Sequence, residues 1–473
     1  MHDQEKQPHT NGTTGISPEY YDSPAPITNE TGCAYPPQDG GKGAWMFLFG
    51  ACIIEITAWG FPYCYGVFEA YFNSHPPFQG QNIVSAGGVL SNGILQLSLP
   101  PVMYYVNNFP KHRVPVMWLG CLVCTFSAIG AGFAKTPLQL IMAIGLLYGI
   151  GAGMLFGPSI HLMAEWFKVK KSLAYGFICA AGAAAGAGLP PVYTACLNCY
   201  GYKVTLIGWG LITFVVTSIG LLCVRPRLPH SAKPPAPSMR DFDFTKKPLF
   251  LIMLLAIMVQ AIAHYGPSLY LPSFGADLGL SALEAAMLAS LLNLAQAIGQ
   301  PLQGWLADWR RSYYIPMLIS TIGASLEALL IWGFARSLWS LSIFALAFGS
   351  TAGGFAVLRP RFAAEIVGDQ DEQDNQSLLV FAILTASRGS AIIGSGFIMK
   401  TFVHEGESKK GWGGGTAWLN LVIYTGVIMF AASFGAVGMF VGPTRRYGRR
   451  STKGLTIGGA SGSTDSDGAG ELA

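Results

Sequence analysis

Gly157–Gly188 reads GPSIHLMAEWFKVKKSLAYGFICAAGAAAGAG, and it holds two changes of character. An apolar run stops at Trp166-Phe167, three lysines (Lys168, Lys170, Lys171) follow within four residues, and a second apolar run crowded with Gly and Ala begins. The pattern predicts a membrane helix, a basic turn and another membrane helix. Lysines resist translocation, so the turn is expected on the cytoplasmic side. The Gly and Ala after it give a smooth helix face that a neighbouring backbone can approach closely.

Composition extends this reading to the whole chain. Of 473 residues, 51% are hydrophobic and only 11% charged, and the mean hydropathy is positive. A water-exposed globule of this size does not carry that balance, so a polytopic membrane protein surrounded by lipid is expected. The net charge of +4 is spread over short loops, which argues against a nucleic-acid partner. Cys121/Cys124 and Cys196/Cys199 have CxxC spacing, but neither has the second pair or the His ligands of a zinc site. No metal and no cofactor is expected. Residues 1–42 lack an apolar core and read as a disordered tail with sequons at Asn11 and Asn29, not as a signal peptide.

Apolar stretches long enough to cross roughly 30 Å of hydrocarbon fall near 44–70, 83–106, 114–134, 138–164, 172–195 and 204–224. A hydrophilic, Pro-rich segment at 225–247 separates them from six more, near 248–274, 283–307, 313–334, 338–364, 378–402 and 417–441. The expected organisation is a tail (1–42), a six-helix bundle (43–224), a cytoplasmic central loop (225–247), a second bundle (248–442) and a C-terminal tail (443–473). With both termini inside, most Lys and Arg fall in the tails and in the loops expected to face the cytoplasm. The run Arg445, Arg446, Arg449, Arg450 reads as a stop signal beside anionic lipid.

The halves also echo each other. Gly149, Gly153 and Ala164-Glu165 reappear as Gly349, Gly353 and Ala364-Glu365, displaced by 200 positions. Asn92 and Pro100 match Asn293 and Pro301, displaced by 201. Repeats at one offset in corresponding spans predict two parallel six-helix pseudo-repeats.

Twelve spans in repeated halves around a polar loop resemble the major facilitator superfamily, an all-α membrane fold. Two stretches are similar to its monocarboxylate porter branch, especially the fungal members. One is Asp39-Gly40-Gly41-Lys42-Gly43-Ala44-Trp45 followed by Gly60-Phe61-Pro62 and Tyr65-Gly66-Val67-Phe68; the other is Trp166-Phe167, Lys170-Lys171, Leu173-Ala174 and Gly176. A superfamily motif, Gly304, Asp308, Arg310 and Arg311, lies between spans 8 and 9. Against the proton-coupled lactate carriers of that branch, Tyr63 stands where they have a Lys, Gln296 where they have an Asp, and Gln300 where they have an Arg. The resemblance therefore implies a transporter without implying the lactate-and-proton mechanism.

An ionisable group in hydrocarbon costs about 2.5–3.5 kcal/mol on insertion scales, so each one needs a reason. Arg388 lies about ten residues, roughly 15 Å of helix, into span 11, where a guanidinium can grip a substrate carboxylate with two prongs. Glu55 in span 1 is the first candidate for proton coupling, and Glu327 in span 9 a weaker one. His161 and Arg361 occupy equivalent places 200 apart and, with Asp308 and Arg310, are the gating candidates. His264, Tyr63, Tyr65, Tyr270, Asn293, Gln296 and Gln300 are the remaining candidate substrate contacts. No HExxH or GxSxG motif marks an enzyme.

The expected activity is secondary transport of a small organic acid or acidic metabolite by alternating access, in the plasma membrane and as a monomer. Uncoupled or antiport export of a neutral or aromatic metabolite is the alternative within transport. A non-transporting membrane sensor is the alternative of another class.

Overall fold

The computed structural model describes residues 36–228, 239–310, 312–368, 374–402 and 411–441. The sequons, most of the N-terminal tail, and the C-terminal arginines lie outside them. Everything regular among the described residues is helical. In chain order the helices are α1 (Gly41–Ser74), α2 (Ala86–Leu97), α3 (Leu99–Asn108), α4 (Arg113–Gly132), α5 (Pro137–Trp166) and α6 (Lys171–Cys223). They continue as α7 (Pro248–Asp277), α8 (Ala282–Arg310), α9 (Tyr314–Trp332), α10 (Leu338–Val367), α11 (Asp374–Lys400) and α12 (Leu419–Val441).

Nine helices among the described residues are long and apolar enough to cross a membrane. The difference from twelve has three local causes. The span expected at 83–106 is split at Ser98, because Pro100 and Pro101 open α3 and suit only a helix's first turn. Helix α8, 29 residues long, carries Asn293, Gln296, Gln300 and Gln303 among its apolar residues and is not among the nine. Helix α6 is 53 residues long, about 80 Å at 1.5 Å per residue, and it folds back at Gly201.

That reversal is visible in the contacts of α6 with α1. Residues 177–185 run along α1 in its own direction, with Cys52 bonded to the Phe177 carbonyl and Gly60 against Ala185. Residues 217–224 run the opposite way, with Thr57 bonded to Thr217 at 2.8 Å and Gly50 against Gly220. Gly201 turns the chain with φ 73° and ψ 173°, a conformation essentially restricted to glycine. Counting α2–α3 as one segment and α6 as two, the described residues hold twelve helical segments; the nine helices above are those that meet the length and apolarity of a span.

The two halves meet along two seams. On one, Gly176 of α6 lies against the Gln300–Pro301 backbone of α8, and Gly304 of α8 against Ser172 and Leu173. On the other, Gly93 of α2 faces Gly389 and Ile393 of α11. The small residues that the sequence placed on a packing face thus let backbone touch backbone. The N-terminal tail is ordered closer to α1 than expected. Asp39 sits at the start of that helix, and its carboxylate accepts the backbone N–H groups of Lys168, Val169 and Lys170 at 2.8–3.0 Å.

Candidate functional site: a central cavity with two buried guanidiniums

Helix α10 changes geometry in the middle of the protein. Gly353–Leu358 tightens to a 3-10 turn, which frees carbonyls that an α-helix would use. Side chains of other helices take them: Gln303 donates to Ser350 and Thr351 at 2.9 and 2.7 Å, and Gln260 and Ser320 donate to Ala352 at 3.1 and 3.2 Å. A side chain on Gly354 would collide with Gln303. Broken backbone deep in a membrane fold is tolerated where protein supplies partners or where it lines a cavity. Both hold here.

The cavity beside this break is lined by Glu55, Trp59 and Tyr63 of α1, Phe156 of α5, and Tyr175 and Cys179 of α6. The C-terminal half contributes Gln296 and Gln300 of α8, Gly353, Ala356 and Arg359 of α10, and Arg388 of α11. The space open to a water's centre is about 20 Å³, room for a water or two. A cavity of that size does not hold a metabolite-sized ligand in this conformation.

Arg388 is 8% exposed. It donates a long bond of 3.5 Å to Gln96 Oε1 of α2, and its Nε has no partner among the described residues. Arg359 is 2% exposed. Its Nε donates to the Ala356 carbonyl at 2.9 Å, one terminal nitrogen to Thr385 Oγ1 at 3.0 Å and the other to Tyr175 Oη at 2.9 Å. The guanidinium also lies over the rings of Tyr175 and Phe381, 5.8 and 5.7 Å from their centres. Among the described residues neither arginine forms an ion pair. Glu55, 1% exposed, makes no ion pair among the described residues, and its carboxylate meets the Trp59 indole, one turn along α1, in a contact too loose to count as a well-formed hydrogen bond. Trp59 stacks on Tyr63 at 5.8 Å and meets Phe156 edge-on at 5.6 Å, giving one wall an aromatic surface.

Five of the candidates chosen from sequence, Arg388, Tyr63, Glu55, Gln296 and Gln300, come together in this cavity. Others sit elsewhere. Tyr65 donates to the Val84 carbonyl at 2.7 Å and packs on Gly87 and Gly88. His264 stacks on Phe348 at 6.1 Å, and Tyr270 meets Trp418 edge-on at 6.2 Å. Asn293 donates to the Gly186 carbonyl at 3.4 Å, in the α6–α8 seam. Glu327 accepts a 2.7 Å bond from Thr351. Arg359 was passed over, although its signal was a charge inside the span expected at 338–364.

The end of the molecule carrying the Lys168–Lys171 turn is closed by charge. Asp308 of α8 pairs with Arg361 of α10 at 3.0 Å and accepts the backbone N–H groups of Ser172 and Leu173, across the seam, at 3.3 and 2.8 Å. Arg361 also donates to Ser172 Oγ at 3.2 Å. Within the N-terminal half, Arg113 pairs with Glu165 at 2.6 Å, and Glu165 accepts the backbone N–H of Arg227 at 3.1 Å. His161, buried one helical turn before Glu165, has no hydrogen-bond partner from another side chain at either ring nitrogen among the described residues. Arg310 lies over the Trp309 ring at 4.7 Å, apart from this network. Cys121 and Cys124 are bonded to the carbonyls of Phe214 and Tyr148.

A membrane-embedded helical fold, split into halves around a closed polar cavity, defines a transporter-type protein. Residues 47–395 match the family model of the Major Facilitator Superfamily, and the chain belongs to that family. The aspyridones efflux protein apdF of Emericella nidulans is 24% identical over 71% of this chain and 68% of its own length. Monocarboxylate transporter 4 of Rattus norvegicus is 25% identical over 70% of this chain and 72% of its own. A crystal structure of a mutant of the nucleoside transporter NupG covers 82% of this chain and 98% of that one, at a TM-score of 0.59 and 13% identity. The protein is a multi-pass membrane transporter of the superfamily, similar to its monocarboxylate branch.

Proposed function

We propose that the protein moves a small organic acid or acidic metabolite through the central cavity by alternating access, with 43–224 and 248–442 as the rocking bundles. The observation that carries this reading is the buried, incompletely bonded guanidinium of Arg388 facing a cavity in which no carboxylate pairs with it among the described residues. A charge left so in low dielectric is costly unless a ligand supplies its counter-charge. Glu55, buried in the same cavity without an ion-pair partner among the described residues, is the proposed proton carrier. Both termini in the cytoplasm, residence in the plasma membrane and action as a monomer complete the proposal.

The test is uptake and efflux in proteoliposomes, with and without a pH gradient, over organic acids and neutral analogues of matched shape. Acids are expected to move in preference, and Arg388→Gln to abolish that preference. Equal movement of neutral analogues with an unaffected Arg388→Gln variant would overturn the reading. A second reading, export of a neutral or aromatic metabolite, is favoured by the wall formed by Trp59, Tyr63 and Phe156, and the same panel separates the two.

A further inference from the structure

The anion reading accounts for Arg388 and leaves Arg359 unused. We infer that the cavity is built for a dianion, a molecule with two acidic groups, one held by Arg388 and the other by Arg359; this rests on the organic-acid reading above.

Three observations point to it. Both guanidiniums line one cavity, are at least nine-tenths buried, and have only neutral hydrogen-bond partners among the described residues. Their donors are not exhausted. A guanidinium has five N–H groups; Arg359 uses three and Arg388 one, through a long contact. Finally, the two are fixed relative to each other, because Thr385, one turn before Arg388 on α11, accepts directly from Arg359 on α10. A pair of cations held at a set spacing by neutral groups suits a ligand with two anionic ends.

The charge balance leads to the same class. A monoanion would neutralise one arginine and leave the other to the rings of Tyr175 and Phe381, whose faces offset only part of a buried charge. Glu55 is the one carboxylate in the lining, and it makes no ion pair with either arginine. With Glu55 protonated, a dianion brings the loaded cavity to neutrality. With Glu55 ionised, a monoanion would do so, and the two cases are separable by experiment.

The assay is competition on the wild-type, full-length transporter in proteoliposomes, comparing a dicarboxylate with its own monomethyl ester, which keeps the shape and removes one charge. The dicarboxylate is expected to compete about ten- to a hundredfold better, the range for losing one charged hydrogen-bonded contact. Equal competition by the two overturns the inference. Arg359→Gln is expected to equalise dicarboxylate and ester by weakening the dicarboxylate's competition more than the ester's. Loss of both alike counts against the inference if the variant elutes as a monodisperse peak, and the wild-type comparison decides the matter if it does not. Glu55→Gln keeps or widens the dicarboxylate advantage; an advantage that disappears assigns the second charge to Glu55 and refutes the role of Arg359. Ester transport that depends on Arg388 without any dicarboxylate advantage sinks the dianion and leaves the organic-acid reading standing. Indifference of every substrate to Arg388→Gln sinks both.

Discussion

Replacing Asp308 with Asn tests whether the charged network at the Lys168–Lys171 end holds the halves together. Asp308 Oδ1 accepts from Ser172 N at 3.3 Å and from Arg361 at 3.0 and 3.3 Å, while Oδ2 accepts from Leu173 N at 2.8 Å. Asparagine keeps one acceptor and turns the other into a donor, which must face either the Leu173 N–H or Arg361. A hydrogen bond to a charged group contributes about 1.5–3 kcal/mol, and a carboxylate at a helix N-terminus about 0.3–1 kcal/mol. Arg361 remains 25% exposed, so water recovers part of the loss when the contact breaks. A net shift of about 2 kcal/mol toward the open form follows, roughly 30-fold in the closed-to-open ratio. Val169 and Trp309 flank the network, one in each half, and are 66% and 60% exposed. Spin labels at those positions, with the exposed Cys199 replaced, report the separation by pulsed dipolar spectroscopy. Asp308→Asn is expected to move population to longer distances, and Asp308→Glu to move less. An unchanged distribution in the Asn variant, or an equal shift in both, would refute the latch.

Three further outcomes follow from named contacts. A Cβ on Gly304 would lie 2.4 Å from the Ser172 carbonyl, so Gly304→Val should lengthen the same spin-label distance and stop transport while helix content by circular dichroism is retained. Glu165→Gln removes the 2.6 Å pair with Arg113, whose side chains are 10% and 12% exposed; thermal unfolding in detergent should show a loss of about 1–3 kcal/mol, with the Arg113→Gln double variant losing less than the sum. Tyr65→Phe deletes the bond to the Val84 carbonyl and should cost about 1 kcal/mol of stability without altering substrate preference, since Tyr65 is absent from the cavity lining; a changed preference in uptake would place it in the site.

Local features of the fold were legible because the membrane acts along the chain. The basic turn at Lys168–Lys171 and the span boundaries depend on residues near one another in sequence, and the helices follow them to within a few residues. The lining of the cavity was legible where a single intramembrane polar residue had to justify itself, as with Arg388 and Glu55. Other polar positions were not legible, because the reason lies on another helix. Arg361 finds Asp308 from 53 residues away, and Asp39 caps the 168–170 backbone from about 130 away. Arg359 sits on the C-terminal side of a 3-10 stretch whose freed carbonyls are satisfied by Gln303, Gln260 and Ser320, none of which was singled out. Tyr65 looked like a cavity residue because it shares α1 with Tyr63, but two residues along a helix turn the side chain by about 200°.

The charged contacts between halves share one chemistry, a charged side chain of the C-terminal half against a neutral partner of the N-terminal half, and the choice has an energetic basis. At the Lys168–Lys171 end the Asp308–Arg361 pair lies within the C-terminal half and reaches across through hydrogen bonds with the backbone N–H groups of Ser172 and Leu173 and with Ser172 Oγ. Water reaches Arg361 there, so the charges are resolvated when the halves part and the link is reversible. In the cavity both cross-half links use neutral acceptors, Gln96 for Arg388 and Tyr175 for Arg359. Had either arginine been paired with a carboxylate of the opposite half, each opening would strand two charges in low dielectric, at about 3–5 kcal/mol for a broken buried pair. Neutral partners keep that barrier low and leave the positive charge of both arginines uncompensated. The same choice that lets the halves separate therefore leaves the cavity with an unmet demand for negative charge, and an entering anion can meet it without first displacing a carboxylate.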